Sequence, residues 1–506
     1  MFALLLAVLL SISLVGPALA AAPDTRDDHA LGRFRDASDF GDFSTPLNQS
    51  LAILVLARTA GTDPSPAAVD LLLAQQCHDG GFATTFRVPT TGEPAPCNPS
   101  VDTTGFAVQA LNAVGEDDAV GDAVTWLRTA QEDDGSFGSP DGLNTNSTAV
   151  AAVALDIGGE TGAADDARAW IEEVQEGCEA DERAGAIPFN AETDGFVELA
   201  TAQSIVGLNS ADLNTLDGSG NDDVAPTTDC DQEPAELGET DVAAAAWLAD
   251  QLVDGERIQS EFEGDFFDAP GPTIDALFAF ASLDDLAGEQ IGAIVAWLTT
   301  QVTGYTQGAP FDADDAAYAG ATAKLALGML VAERDPGNVD DIDLIAQLEG
   351  LEVTELDEVS VSCDAEEVTT GEQVDCSIQG LIPNETVDVL VELNPMLLDE
   401  PVTADDMGNA AFTFTIPDDV DDGDTVVITL NGLGADGLAE LALNVSVAEP
   451  EMEEVAEPDD EVADEEDVLP ETGSPTVLTG GVGVITLLIG GLALALTHRQ
   501  RETERA

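Results

Sequence analysis

A chain of 506 residues with 100 acidic and 14 basic side chains carries a formal net charge of −86, which repels nucleic-acid phosphates and anionic lipid and excludes both as partners. With 44% hydrophobic residues it can still bury a sizeable core, and its length suffices for roughly two or three domains. The acids are spread along most of the chain, which favours a solvated surface adapted to high salt over the alternative of cation binding.

Residues 2–15 form an uncharged, largely apolar run, too short to span a bilayer comfortably. Gly16-Pro17 follows, and then Ala18-Leu19-Ala20, the small-x-small pattern that a signal peptidase accepts, so residues 1–20 read as a secretory signal peptide. No Lys or Arg precedes the run. Either translation starts upstream, or the amino terminus alone supplies the positive end.

Residues 45–335 repeat one unit five times. Its clearest copy reads Trp126-Leu127, Gln131, Gly135, Phe137 and Thr148; an earlier one reads Leu71-Leu72, Gln76, Gly80, Phe82 and Thr104. Later copies keep Trp170 with Gln175 and Thr201, Trp247 with Gln251 and Thr273, and Trp297 with Gln301 and Tyr318, but their turns look degenerate. All four tryptophans of the chain hold the same place in the unit. Apolar positions at helical spacing, rich in Ala and Leu, predict a helical hairpin per unit, joined by Gly- and Asp-rich turns. A unit of this kind buries its apolar face only against its neighbours.

At Gln-x-x-x-Gly-x-Phe this stretch resembles the repeats of squalene–hopene cyclases and protein prenyltransferase β subunits. The resemblance implies an all-α α/α toroid over residues 42–345, with inner and outer helix rings around a concave cavity. It does not carry the relatives' chemistry with it. The cyclase acid motif is matched in letters by Asp312-Ala313-Asp314-Asp315, yet the position aligned with the inner-helix Thr is Gly320, five residues beyond Asp315. Prenyltransferase zinc needs Asp, Cys and His around one ion. Cys77-His78-Asp79 supplies the types, but three consecutive residues wrap a tetrahedral ion poorly. Complement-like toroids need Cys-Gly-Glu-Gln, whereas Thr370 precedes Gly371-Glu372-Gln373 here. A retaining or inverting carboxylate pair remains open, since acids are everywhere. Catalytic residues, a cofactor and a bound metal are therefore not expected, and the cavity reads as a site for a small-molecule or glycan ligand. An isoprenoid-cyclising or carbohydrate-active enzyme and a structural or adhesive coat protein are the alternatives.

Asp217, Ser219, Asn221 and Asp223 alternate as oxygen ligands for Ca²⁺ would. No Gly holds the sharp-turn position, so a flexible acidic insertion is the preferred reading. The six cysteines fall into three sequence-local pairs, Cys77 with Cys97, Cys178 with Cys230 and Cys363 with Cys376. That is the most economical connectivity for an exported chain. Lys324 is the only lysine.

After residue 350 the pattern turns to alternation, with short strands expected near 359–363, 373–380, 386–393, 410–416, 424–430 and 441–447. Six or seven strands over residues 352–449 suggest an all-β immunoglobulin-like sandwich, and the stretch resembles the modules that precede sorting signals. Residues 450–468 read as an acidic, self-repelling linker. Leu469-Pro470-Glu471-Thr472-Gly473, an uncharged apolar stretch over 476–497 and a basic tail over 498–506 then follow. Those 22 residues reach ~33 Å, enough for a transmembrane helix. Together the three parts resemble the LPXTG sorting signal of sortase-anchored cell-wall proteins. The resemblance implies that a sortase cleaves after Thr472 and joins its carbonyl to a peptidoglycan amine, leaving the protein on the cell surface.

Overall fold

The computed structural model describes residues 26–446, apart from 39, 89–94, 141, 191–195, 222, 228–229, 231–236, 263, 284, 314–315, 366, 394–397, 419 and 433–434. The leader over 1–20, the linker over 450–468, the motif Leu469–Gly473, the stretch over 476–497 and the tail over 498–506 lie outside the described residues. Among the described residues no helix is long and apolar enough to cross a membrane.

Among the described residues, twelve of the helices alternate as inner and outer members along the first part of the chain. They are α1 Pro46–Arg58, α2 Pro66–Ala74, α3 Val101–Val114, α4 Asp117–Ala130, α5 Thr145–Ile157 and α6 Thr161–Val174. Then come α7 Val197–Leu208, α8 Thr240–Asp250, α9 Pro270–Ala281, α10 Gly288–Thr299, α11 Ala319–Val331 and α12 Leu344–Gly350. Side-chain caps start several of them: Thr45 accepts from the Asn48 amide, Ser100 from Thr103 and Asn144 from Ser147. The odd-numbered helices pack each against the next, and α11 packs back on α1, so they close a ring. The even-numbered helices lie outside it and pack on the inner ones. The division follows composition. Outer α4 buries a single face of Ala119, Val120, Ala123, Val124 and Leu127, whereas inner α9 is buried from Gly271 to Ala281. Small residues let inner helices approach: a Cβ at Gly207 would sit 2.6 Å from the Ala149 Cα.

One set of hydrogen bonds recurs around the ring. A buried Thr at the start of an inner helix accepts from the amide of the turn residue before it: Phe82 N to Thr104 Oγ1 (2.9 Å), Phe137 N to Thr148 (3.0 Å), Ile187 N to Thr201 (2.9 Å) and Ile258 N to Thr273 (3.0 Å). A Gln closing an outer helix donates both to its turn glycine and to the start of the next outer helix. Gln131 Nε2 donates to Gly135 O (3.0 Å) and Ala163 O (2.8 Å), and Gln76 and Gln175 repeat the pattern. The turn needs glycine, as at Gly135, where φ is +92° and a Cβ would meet Asp166 O at 2.3 Å.

These contacts correct the sequence reading in three ways. The third turn is not degenerate, since Gly185 and Ile187 do the work of Gly135 and Phe137. In the fourth and fifth copies the Gln has left the pattern: Gln251 donates to Trp247 O and Gln301 to Thr300 Oγ1. The ring holds six hairpins, not five. The sixth turn comes from Gly32-Arg33-Phe34, and Gln49 of α1 plays both polar parts, accepting from Phe34 N (3.1 Å) and donating to Gly32 O (2.8 Å) and Ala68 O (3.0 Å). That turn joins the two ends of the helical region: Gly32 N donates to Val353 O, Val353 N to Arg33 O, and Ala37 and Ala317 exchange both bonds.

Among the described residues eight strands follow: β1 Ser360–Cys363, β2 Glu367–Thr369, β3 Gln373–Gln379, β4 Thr386–Glu392, β5 Leu398–Thr403, β6 Ala410–Thr415, β7 Thr425–Gly432 and β8 Ala435–Ser446. They form two sheets, ordered β6-β3-β1 and β2-β8-β7-β4-β5, over a core that includes Val374, Ile378, Val389, Ile428 and Leu443. The expected strands omit β2, which is only three residues long, and β5. β5 is an edge strand whose Pro401 breaks the sequence pattern. Arg26 ties this module to the start of the helical region, since its Nε lies 2.9 Å from the buried Glu385 Oε1 and its Nη2 donates to Gly380 O (2.8 Å). Cys77–Cys97, Cys178–Cys230 and Cys363–Cys376 are disulfide-bonded, the last joining paired residues of β1 and β3.

Candidate functional site: the centre of the helical ring

The inner helices run parallel, so their first residues meet at one end of the ring. Asn146 Nδ2 of α5 donates to Gln203 Oε1 of α7 (2.7 Å), and a Cβ at Gly320 of α11 would touch Asn48 of α1. At the other end the segment 209–221 crosses the ring as a floor. The Arg58 guanidinium donates to the carbonyls of Leu213 and Leu216, and Leu213 N donates to Gln109 Oε1 (3.0 Å). Gly218 N donates to Val331 O, and the Asn221 amide to Phe280 O and Leu283 O. The ring is therefore a cup.

The residue two positions after each buried anchor lines the axis: Leu51, Phe106, Val150, Gln203, Asp275 and Lys324, after Gln49, Thr104, Thr148, Thr201, Thr273 and Thr322. This register places Thr322 at the aligned position and corrects the assignment of Gly320. Thr322 keeps a bonded hydroxyl, accepting from Gln347 Nε2 (2.7 Å). Val153, Val206 and Phe278 add a second apolar layer above the Leu213 floor. The lining leaves about 40 Å³ for water-sized occupants, room for about three or four waters at ~10–15 Å³ each.

Polar groups cross this apolar cup in one chain. Asn146 bonds Gln203, Gln203 bonds the Asp275 carboxylate, and Asp275 Oδ2 receives Lys324 Nζ at 2.7 Å. Burial pushes the Asp275 carboxyl above the ordinary carboxylate range, and the Lys324 charge and the hydrogen bonds from Lys324 and Gln203 pull it back. Burial and the nearby Asp275 charge raise the Tyr305 phenol. Near the mouth, Asp102 accepts from Ser147, yet its Oδ1 has no hydrogen-bond partner among the described residues; burial raises this carboxyl too. Asn146 Oδ1 likewise has no partner among them. Sequence reasoning missed Asp275, Gln203 and Asp102. The one available signal was that the single lysine sits two residues beyond an anchor Thr.

Apart from Asp217, Ser219 and Asn221, which fall in the floor segment, the residues singled out from sequence lie elsewhere. Asp312 Oδ2 accepts from Ser38 Oγ and Tyr318 Oη, both at 2.6 Å, at the seam between the chain's first turn and α11. Asp314 and Asp315 lie outside the described residues. In the same seam Asp36 accepts from Ala319 N and Phe43 N, and burial, then Asp42, push its carboxyl up to about 7. Cys77 is consumed by its disulfide, while His78 and Asp79 are exposed. Asp217 caps Ser219 N, and the Asn221 amide latches the floor. Among the described residues no group of three His, Cys, Asp or Glu side chains is placed to hold a metal. Glu372 accepts from Thr369 in the turn before β3.

No family model and no curated protein matches the chain. Among solved structures it is similar to the type II terpene cyclase MstE from Scytonema in its apo form, with 14% identity and a TM-score of 0.36, over 59% of this chain and 92% of that one. At that level of likeness the architecture rests on the helix packing itself.

Proposed function

We propose that this is a secreted surface protein, fixed to peptidoglycan through Thr472 by a sortase, which displays an α/α toroid as a ligand-binding cup on an immunoglobulin-like spacer. The closed double ring of helices supports the toroid. The strand order β8-β7-β4-β5 corresponds to the G-F-C-C′ face of an immunoglobulin sandwich and β6-β3-β1 to its E-B-A face. The inter-sheet disulfide of antibody domains is replaced by a bridge within one sheet. Three disulfides favour an oxidising compartment, and the sorting motif, apolar stretch and basic tail stand in the order that anchoring requires.

The observation that carries the binding reading is the cup itself: an apolar lining with one neutralised ion pair on its axis. Lys324 and Asp275 neutralise each other, and Asp312 is held as an acceptor by two hydroxyls. The narrow, apolar lining suits the end of a small neutral or apolar ligand. A second reading, an acid-catalysing enzyme, draws on one observation, the raised Asp102 carboxyl with its unpartnered oxygen near the mouth. Wild type and Asp102→Asn, assayed by mass spectrometry for turnover of isoprenoids and wall glycans, separate the two. No turnover by either protein is expected. Turnover by wild type that Asp102→Asn loses overturns the binding reading.

A further inference from the structure

Every inner helix is entered from the same end of the ring, so the six loops that precede these helices gather around the mouth of the cup. Five of them expose large apolar side chains there: Phe43, Leu143, Phe196, Phe266, Phe267 and Phe311, each between 40% and 64% exposed. Among the described residues only two other large apolar side chains are as exposed, Val224 beyond the floor and Met407 in the β module. The gathering is therefore not the scatter expected of a surface. Phe266 and Phe267 stand on Asp265–Asp268, a strand exposed at each of its residues, whose hairpin partner is Gln259–Phe262.

The charge around this rim is negative and not internally balanced. Glu261 and Asp265 are exposed on the hairpin, where Asp268 is already paired with Arg257. The arginines nearby are already engaged: Arg33 and Arg35 with Asp42, and Arg257 with Asp254, Glu256 and Asp268. Phenyl faces beside carboxylates suit a partner that is both cationic and apolar, through cation–π contact and complementary charge. A second copy carries the same charge of −86 and is repelled at low salt. Anionic lipid is repelled for the same reason.

We propose that this rim docks a basic amphipathic polypeptide segment, its apolar side chains on the phenyl rings and its lysines or arginines against the rim carboxylates. The docking surface is separate from the cavity and does not depend on what enters it. The probe is a labelled leucine–lysine amphipathic peptide, titrated by fluorescence anisotropy into the purified full chain, with a leucine–glutamate counterpart and with neutral and anionic vesicles as competing arms. We expect the lysine peptide to bind and to weaken as salt rises. The triple variant Phe43→Ser, Phe196→Ser and Phe266→Ser should lose about tenfold in affinity or more, while Val224→Ser changes it less than about twofold. Should the triple variant misfold, Phe266→Ser alone, on the exposed strand, carries the comparison. Equal binding of the glutamate peptide, no binding of the lysine peptide, or equal loss in Val224→Ser overturns the proposal. So does vesicle binding, or self-association, that the rim variant abolishes.

Discussion

Replacing Lys324 by Met tests whether the centre of the cup is organised by its ion pair. Lys324 and Asp275 are 5% and 6% exposed and lie 2.7 Å apart. Removing the cation leaves a buried carboxylate uncompensated, which costs about 3–5 kcal/mol. With an unfolding entropy of ~2.1 cal/mol/K per residue over roughly 330 residues, a loss near 4 kcal/mol lowers the helical domain's melting midpoint by about 6 °C. The pH dependence follows from the sign of the shift. Burial holds the folded Asp275 carboxyl above its ordinary value of 3.8, and losing Lys324 raises it further. Between the unfolded and folded pKa values the native state binds the extra proton, so stability falls as pH rises through that window. The deficit of Lys324→Met is therefore largest above the folded pKa and shrinks as pH falls toward 4. The double variant Lys324→Met with Asp275→Leu removes both charges and should recover to within about 1 kcal/mol of wild type, or exceed it. Denaturant unfolding followed by circular dichroism at several pH values measures all three proteins. A single-variant deficit under about 1 kcal/mol at neutral pH, or one that does not change with pH, refutes the reasoning.

Thr472→Ala, or deletion of residues 469–473, should release the protein from the wall while leaving its melting unchanged, because the motif lies beyond both folded regions; resistance to hot-detergent extraction in the variant would show that Thr472 is not the covalent attachment. Thr148→Val strips the acceptor from the buried Phe137 amide and should cost about 1–3 kcal/mol, whereas Thr148→Ser keeps the hydroxyl and should cost less. Equal losses in the two would mean that the repeated Thr serves packing alone.

Much of the architecture was legible because it is recorded locally. Helical spacing in 121–131 marks which face of that outer helix is buried, and the Ala-rich run 145–157 marks an inner helix buried nearly all round. Alternation in Gln373–Gln379 and Thr386–Glu392 likewise marks a strand with one buried face. The turn Gly135-Ser136-Phe137 is readable because its steric demands fall on adjacent residues. In the fourth and fifth copies the Gln stays but its bonds leave the pattern, whereas in the third and sixth turns a substitution keeps the bond but not the letter. Ile187 supplies the same amide as Phe137, and Gln49 supplies through a side-chain amide what Thr148 and Gln131 supply separately.

The amino-acid sequence by itself determined the repeat, the change from helix to strand near residue 350 and the local cysteine pairs. Only the tertiary structure decided that six hairpins close the ring, that 209–221 floors it, and that Asp275 meets Lys324 on its axis. Those contacts join residues tens to hundreds of positions apart. Helical periodicity records that a face is buried, but the partner across the axis depends on how many units complete the circle.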